Sequence, residues 1–206
     1  MNIEANKAER FTLLIAKIRR SKNMNTIKYQ DLPEEKKEQE RQKYRGYTLD
    51  YEWWDGVYDY AKETATKFGL AIEDIFFSGF WSQGDGACFT GMLRFKACDE
   101  SELPEEVRGI YQTLHEVDSL IKILDRDERL YAYIVGNYRG KSTIQLGSYN
   151  VGAEDDIVAA HEEGIEEALY DYSRWIYHML EKEYEYLTSD EAIDEQLHDE
   201  EYEDEQ

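Results

Sequence analysis

Trp54-Asp-Gly-Val-Tyr-Asp-Tyr-Ala-Lys-Glu-Thr-Ala-Thr-Lys-Phe-Gly69, followed by Leu70-Ala-Ile-Glu-Asp-Ile-Phe-Phe-Ser-Gly-Phe-Trp-Ser-Gln-Gly-Asp-Gly86 and Ala87-Cys-Phe-Thr-Gly-Met-Leu-Arg-Phe-Lys-Ala97, is the stretch that decides the fold. Trp54, Val57, Tyr58, Ala61, Ala65 and Phe68 recur at three and four, so one face is apolar at the helical period and Gly69 stops it. Ile72 to Trp81 is short, apolar and aromatic, the pattern of a buried strand. Ser82-Gln83-Gly84-Asp85-Gly86 is a turn, and Ala87 to Ala97 returns as the partner strand. Buried positions expected here are Trp54, Phe76 and Phe80, with Leu114, Ile134 and Ile176 from later elements.

Working outward, the same alternation repeats. Leu103-Pro-Glu-Glu106 starts a helix whose stripe is Val107, Ile110, Tyr111, Leu114, Val117, Ile121 and Leu124. Leu130–Gly136 and Ser142–Gly147 form a second hairpin around Asn137-Tyr-Arg-Gly140. A long helix from about Glu154 to Leu187 carries Ile157, His161, Ile165, Leu169, Tyr172, Ile176, Met179 or Leu180, Tyr184 and Leu187 on one side. Helix, hairpin, helix, hairpin, helix predicts an α+β fold, with about four antiparallel strands packed against three main helices.

The ends read differently. Residues 1–20 suit a short amphipathic helix, and 31–45 a second one with no apolar residue between Pro33 and Lys43 to bury. The organisation predicted is a basic helical extension over 1–49, one α+β domain over 50–187, and a disordered acidic tail over 188–206.

Charge is the dominant compositional signal. The formal net charge is −22. Residues 1–50 hold 12 basic and 8 acidic side chains, whereas residues 151–206 hold 2 and 21. Such a surface repels phosphates, so direct nucleic-acid binding is not expected and a basic partner protein is. No apolar run approaches the ~20 residues of a bilayer helix, and the N-terminus lacks a signal-peptide pattern, so a cytoplasmic setting without membrane contact is expected. Cys88 and Cys98, read on one strand about 33 Å long, cannot pair, which suits a reducing compartment.

Catalytic and metal signatures are not found. His115, His161, His178 and His198 lack ligand spacing, and the two cysteines lack zinc spacing. Asp125-Arg-Asp-Glu128 has neither the glycine nor the distal glutamate of a calcium loop. No Gly-x-Ser-x-Gly elbow or phosphate loop occurs. The expectation is a protein without enzymatic activity, metal or cofactor.

Two segments qualify as binding candidates. On the long helix, Glu162 and Glu166, and Glu163, Glu167 and Asp171, stack at i and i+4. Like charges at that spacing oppose helix formation by roughly 0.2–0.5 kcal/mol a pair, so they either serve solubility or form a surface resembling a row of phosphates. The alternative is the Phe76–Phe89 turn region, where Trp81, Ser82, Gln83 and Asp85 are placed to meet a ligand, and where architecture alone is the plainer reading.

Residues 52–91, Glu-Trp-Trp-Asp-Gly-Val-Tyr…Ile-Phe-Phe-Ser-Gly-Phe-Trp-Ser-Gln-Gly-Asp-Gly-Ala-Cys-Phe-Thr-Gly, resemble a group of phage and prophage proteins, some labelled "antitoxin of a toxin–antitoxin stability system". The resemblance implies a mobile-element origin and a setting of host takeover or defence evasion, and it carries no catalytic residues. In composition alone the chain is also similar to phage DNA-mimic proteins. The expectation is therefore an acidic inhibitor that binds a basic, nucleic-acid-handling or defence protein of the host. A small-ligand or nucleotide-binding protein using the 81–85 loop, or an antitoxin neutralising its toxin, are the alternatives. Self-association into a homo-oligomer is left open.

Overall fold

The computed structural model describes residues 26–49, 52–124, 130–137, 143–149 and 155–203. The expected helix over 1–20, the Asp125–Glu128 carboxylates and the Tyr138–Gly140 turn lie outside them. The chain divides into two compact units, residues 51–186 and residues 1–50 with 187–206.

In the larger unit, α2 (Asp55–Lys67) leads into β2 (Leu70–Phe77) and β3 (Ala87–Arg94), α3 (Glu105–Leu124) into β4 (Tyr131–Asn137) and β5 (Thr143–Tyr149), and α4 (Asp155–Leu187) follows. The four strands form one antiparallel sheet in the order β2-β3-β4-β5. The protein is thus α+β, built of two hairpins and three main helices.

Gly69 makes the first turn from helix to strand possible. Its φ is +86°, and a Cβ there would stand 2.0 Å from the Arg94 carbonyl oxygen. That carbonyl belongs to the neighbouring strand, whose Arg94 N–H donates to Gly69 at 2.9 Å. Only glycine meets both demands.

The register of β2 follows from its sequence. Leu70 pairs with Leu93 and Ile72 with Gly91, then Ile75 pairs with Phe89 and Phe77 with Ala87. The strand gains one residue between Ile72 and Ile75, where Glu73-Asp74 interrupts the apolar alternation. The bulge keeps the apolar set on one face despite the two acids. Lys62 Nζ donates to the Glu73 carbonyl at 3.0 Å.

That face is the core. Leu70, Ile75, Phe89, Leu93, Ala132 and Ile134 are buried there. The Tyr172 ring of α4 lies 5.8 Å from Phe68 and 6.0 Å from Phe89, and its hydroxyl donates to the Ala61 carbonyl at 2.7 Å. Burial pushes that phenol far above its ordinary value. Leu114, Val117 and Ile121 of α3 are also buried. Asp118, buried beside them, accepts the Leu130 N–H at 3.0 Å and so fixes the start of β4.

Three of the six expected core residues, Leu114, Ile134 and Ile176, are fully buried. The other three require correction. Phe76 pairs with Cys88 rather than Ile75's partner Phe89, so the period of two turns it to the opposite face, where it is 41% exposed. Trp54 and Phe80 are half-buried, and the enclosed ring is Trp53. The first strand stops at Phe77, so Phe80 and Trp81 belong to the connecting loop. Cys98 likewise lies beyond the end of β3, in irregular chain. Both cysteines are free, and burial pushes both thiols up, so neither is a ready nucleophile.

In the smaller unit, β1 (Thr26–Lys28) precedes α1 (Glu34–Thr48), and α5 (Asp190–Leu197) precedes β6 (Glu201–Glu203). β1 and β6 pair antiparallel, Ile27 opposite Tyr202. The acidic tail is therefore folded over 190–203, which corrects the expectation of disorder. Composition suggested otherwise because charged residues dominate. Two things override it: Ser189 caps α5 by accepting the Ala192 N–H, and Ile193 and Leu197 join Tyr29 and Leu32 in a small apolar cluster.

The helix expected to bury nothing buries a guanidinium. Arg41, 9% exposed, donates from Nε and Nη2 to the two carboxylate oxygens of Asp194, each at 2.7 Å. Its Nη1 donates to Glu34 at 2.7 Å, and the Tyr29 hydroxyl donates to Asp194 at 2.5 Å. Hydrogen bonding from Arg41 holds the Asp194 carboxyl below the usual carboxylate range, while burial and that carboxylate push the Tyr29 phenol up. Arg45 pairs with Asp190 and donates to the Thr188 carbonyl. Residues 26–49 are thus the dock of the acidic tail.

Candidate functional site: an aromatic platform on an acidic helix

The loop between β2 and β3 folds onto the C-terminal half of α4. Phe80 lies at its centre, with ring centroids 5.0 Å from Tyr184, 5.5 Å from Tyr177, 5.8 Å from Trp81 and 5.9 Å from Phe77. Trp53 adds contacts to Phe80 at 6.2 Å and Tyr184 at 5.8 Å, and Trp54 stands 5.7 Å from Trp53. Edge-to-face and tilted pairs of this kind bring roughly 0.5–1.5 kcal/mol each beyond burial.

Trp81 tops this cluster. Its ring packs 5.4 Å from Tyr184 yet remains 68% exposed. Its φ is +72°, the one positive φ of a non-glycine residue among the described residues. For a bulky side chain that conformation is costly and persists only where the surroundings enforce it. Here they do. Asp85 accepts the Ser82 N–H at 2.6 Å and donates its own N–H to the Ser82 carbonyl at 3.1 Å. Ser78 and Gly86 bond reciprocally, and the Tyr177 hydroxyl donates to Gly79 at 3.4 Å. Of the expected loop site, Asp85 is consumed in shaping the turn, while Trp81, Ser82 and Gln83 face solvent.

The acidic candidates lie on the same helix. Glu163 and Glu167 are exposed, and Glu162, Glu166 and Asp171 half-exposed. Asp171 accepts from Arg174 at 2.9 Å, so its charge is offset. Steps of three and four from Glu163 run through Glu166 and Glu167, Tyr170, Arg174, Tyr177, Glu181 and Tyr184, which places them on one side of α4. Glu163, Glu166 and Glu167 thus share one strip with the loop platform, acidic at its N-terminal end and aromatic where Trp81 docks, with Glu162 and Asp171 on its two flanks. Sequence reading takes Tyr184 as core because it lies in the helical apolar stripe, and Tyr177, one residue off that stripe, gives no signal of its own.

Among the described residues no three histidine, cysteine or acidic side chains converge as a metal site would require. No described helix is long and apolar enough to cross a membrane.

An α+β protein with an exposed aromatic strip on an acidic helix is the class these features define. The chain belongs to the family described as a domain of unknown function (DUF8835), whose model matches residues 53–190. That span covers all but the first two residues of the larger unit, the whole strip, and residues 187–190 of the smaller unit. No curated protein and no solved structure matches the chain.

Proposed function

We propose that the protein is a non-enzymatic inhibitor of phage or prophage origin. It acts in the cytoplasm of the host on a basic, nucleic-acid-handling or defence protein. The observation that carries this reading is Trp81, presented 68% exposed in a strained backbone at the end of an acidic strip. Tryptophan and tyrosine are the residues that most often dominate binding energy at protein interfaces. Charge supplies the complementary half. Glu162, Glu163, Glu166 and Glu167 occupy about 8 Å of helix axis, over which a DNA duplex presents roughly five charges. Together with the −22 net charge they steer a basic groove toward the strip and compete there with phosphates. Neutralising a cognate toxin is the same physics with a different partner.

The test compares the parent with Trp81→Ala and with a variant carrying E162Q, E163Q, E166Q and E167Q, all full-length. Partners captured from a bacterial lysate are identified, purified and titrated at low and moderate salt, with duplex DNA or RNA as competitor. Support requires that nucleic acid displaces the partner. It also requires a faster off-rate for Trp81→Ala and a slower, less salt-dependent on-rate for the neutralised variant. Partners retained equally by all three proteins would sink the proposal.

A further inference from the structure

The last 56 residues hold only two basic side chains, Arg174 and Lys182. Both line one cleft of about 600 Å³ in the larger unit, and so does His178, spaced four residues from each. A volume of this order is usual for small-molecule sites. The cleft runs between α3 and α4. Its apolar surface includes Pro104, Met179, Ile110 and Trp175, the last 8% exposed, with the ring of Tyr60 standing 5.9 Å from Trp175 and itself 48% exposed.

The cations differ in availability. Arg174 is engaged by Asp171 at 2.9 Å and lies 6.0 Å from the Tyr170 ring. His178 turns Nδ1 toward Glu181 at 3.4 Å and lines the cleft. Lys182 has no ion-pair partner among the described residues. The rise of a helix puts His178 and Lys182 about 5–10 Å along the axis from Trp175. A planar ring and an anionic group at opposite ends of one small molecule fit that separation.

The opposite wall adds a second observation. Gly109 sits inside α3, where glycine costs about 0.5–1 kcal/mol relative to alanine. No atom within 4 Å would oppose a Cβ, so packing does not demand glycine there. Gly109 lines the cleft, and a side chain at this position would stand in it.

We propose that this cleft binds a nucleoside monophosphate, its base against Tyr60 and Trp175 and its phosphate held by Lys182 and His178. Glu106, Asp171 and Glu181 also line the cleft, and their carboxylates repel each added negative charge, which favours a monophosphate over longer phosphate chains. The cleft shares Arg174 and Glu181 with the edge of the strip but not Trp81 or its aromatic platform, and it does not depend on that reading.

Isothermal titration calorimetry on the full chain tests this with AMP and UMP, against adenosine and inorganic phosphate alone. The expected result is saturable 1:1 binding of at least one monophosphate, with each fragment at least about tenfold weaker. Lys182→Gln and Tyr60→Ala, both at exposed side chains, should each weaken binding by about tenfold. Gly109→Leu should abolish it while the melting temperature stays equal or rises, because leucine is the better helix former. The proposal is overturned if no monophosphate binds with a Kd below about 1 mM. It is equally overturned if inorganic phosphate binds as well as the nucleotide, or if Gly109→Leu binds like the parent.

Discussion

The two compact units are held by different forces. The larger one, residues 51–186, rests on apolar burial, with Phe68, Leu70, Phe89, Leu93, Leu114, Ile134, Leu169 and Ile176 fully enclosed. Among the described residues the smaller one has a small apolar cluster, Tyr29, Leu32, Ile193 and Leu197, and relies besides on Arg41 and Arg45 reaching into the acidic segment. Apolar burial does not depend on the protonation of side chains, whereas an ion-paired hydrogen bond such as Arg41–Asp194 weakens when either partner loses its charge. The larger unit should therefore respond to volume and the smaller to charge. Both candidate sites belong to the apolar-held unit, which is also the part the family model matches.

The largest effect expected is in the larger core. Leu114→Ala removes a fully buried side chain of α3 and should cost about 2–5 kcal/mol, read by thermal or denaturant unfolding. Next comes Gly91→Ala. A Cβ there would stand 2.2 Å from the Ala71 carbonyl oxygen, and neither strand can yield without breaking the bulged register. A loss of about 1–3 kcal/mol follows. If either variant melts like the parent, the larger unit is not organised around this sheet.

How much of this was legible in the sequence depends on which force was at work. Periodicity reports apolar burial, so α4 emerges as Asp155–Leu187 against an expected start near Glu154 and the same end. Both hairpins were legible for the same reason. Periodicity does not report a bulge, and Glu73-Asp74 shifts the phase at which Phe76 is read. It is blind to the smaller unit, where one arginine and one aspartate 153 residues apart do what a stripe of leucines does elsewhere. The strip was half legible. The acidic columns and Trp81 stood out, but only the fold shows that the loop lies on the helix. The cleft left a trace that composition statistics passed over: two basic residues and a histidine at intervals of four within an acidic segment.

Arg41→Met sharpens the contrast. It keeps much of the side-chain bulk and removes the bonds to Asp194 and Glu34. The cost should be about 1–3 kcal/mol, confined to the smaller unit. Hydrogen exchange should speed up over 190–203 and stay unchanged over 105–124. Acid should do the same to the parent. Arg41 holds Asp194 below the ordinary aspartate value of about 3.9. The pair therefore contributes stability above that value and loses it as pH falls through the depressed one. Opening of 190–203 should begin below about pH 4, and this acid step should be absent from Arg41→Met, which lacks the pair. Loss of both units together in Arg41→Met would erase the distinction between them.

The smallest effect has the opposite sign. Glu162 with Glu166 and Glu163 with Glu167 are like charges one turn apart on α4. Replacing all four with glutamine keeps shape and relieves two repulsions of roughly 0.2–0.5 kcal/mol each, so the larger unit should gain about 0.4–1 kcal/mol at low salt. Asp171 stays out of the set because it pairs with Arg174, and removing it would cost what the others gain. Salt should abolish the gain, since it screens exposed charges and leaves the apolar core untouched. The pairing of results decides the role of the acids. A variant that is more stable yet binds its partner more slowly shows carboxylates held against the interest of the fold, as an interaction surface requires. A variant that is less stable shows carboxylates that brace the helix through contacts of their own, and the steering role then falls to the remaining acidic surface.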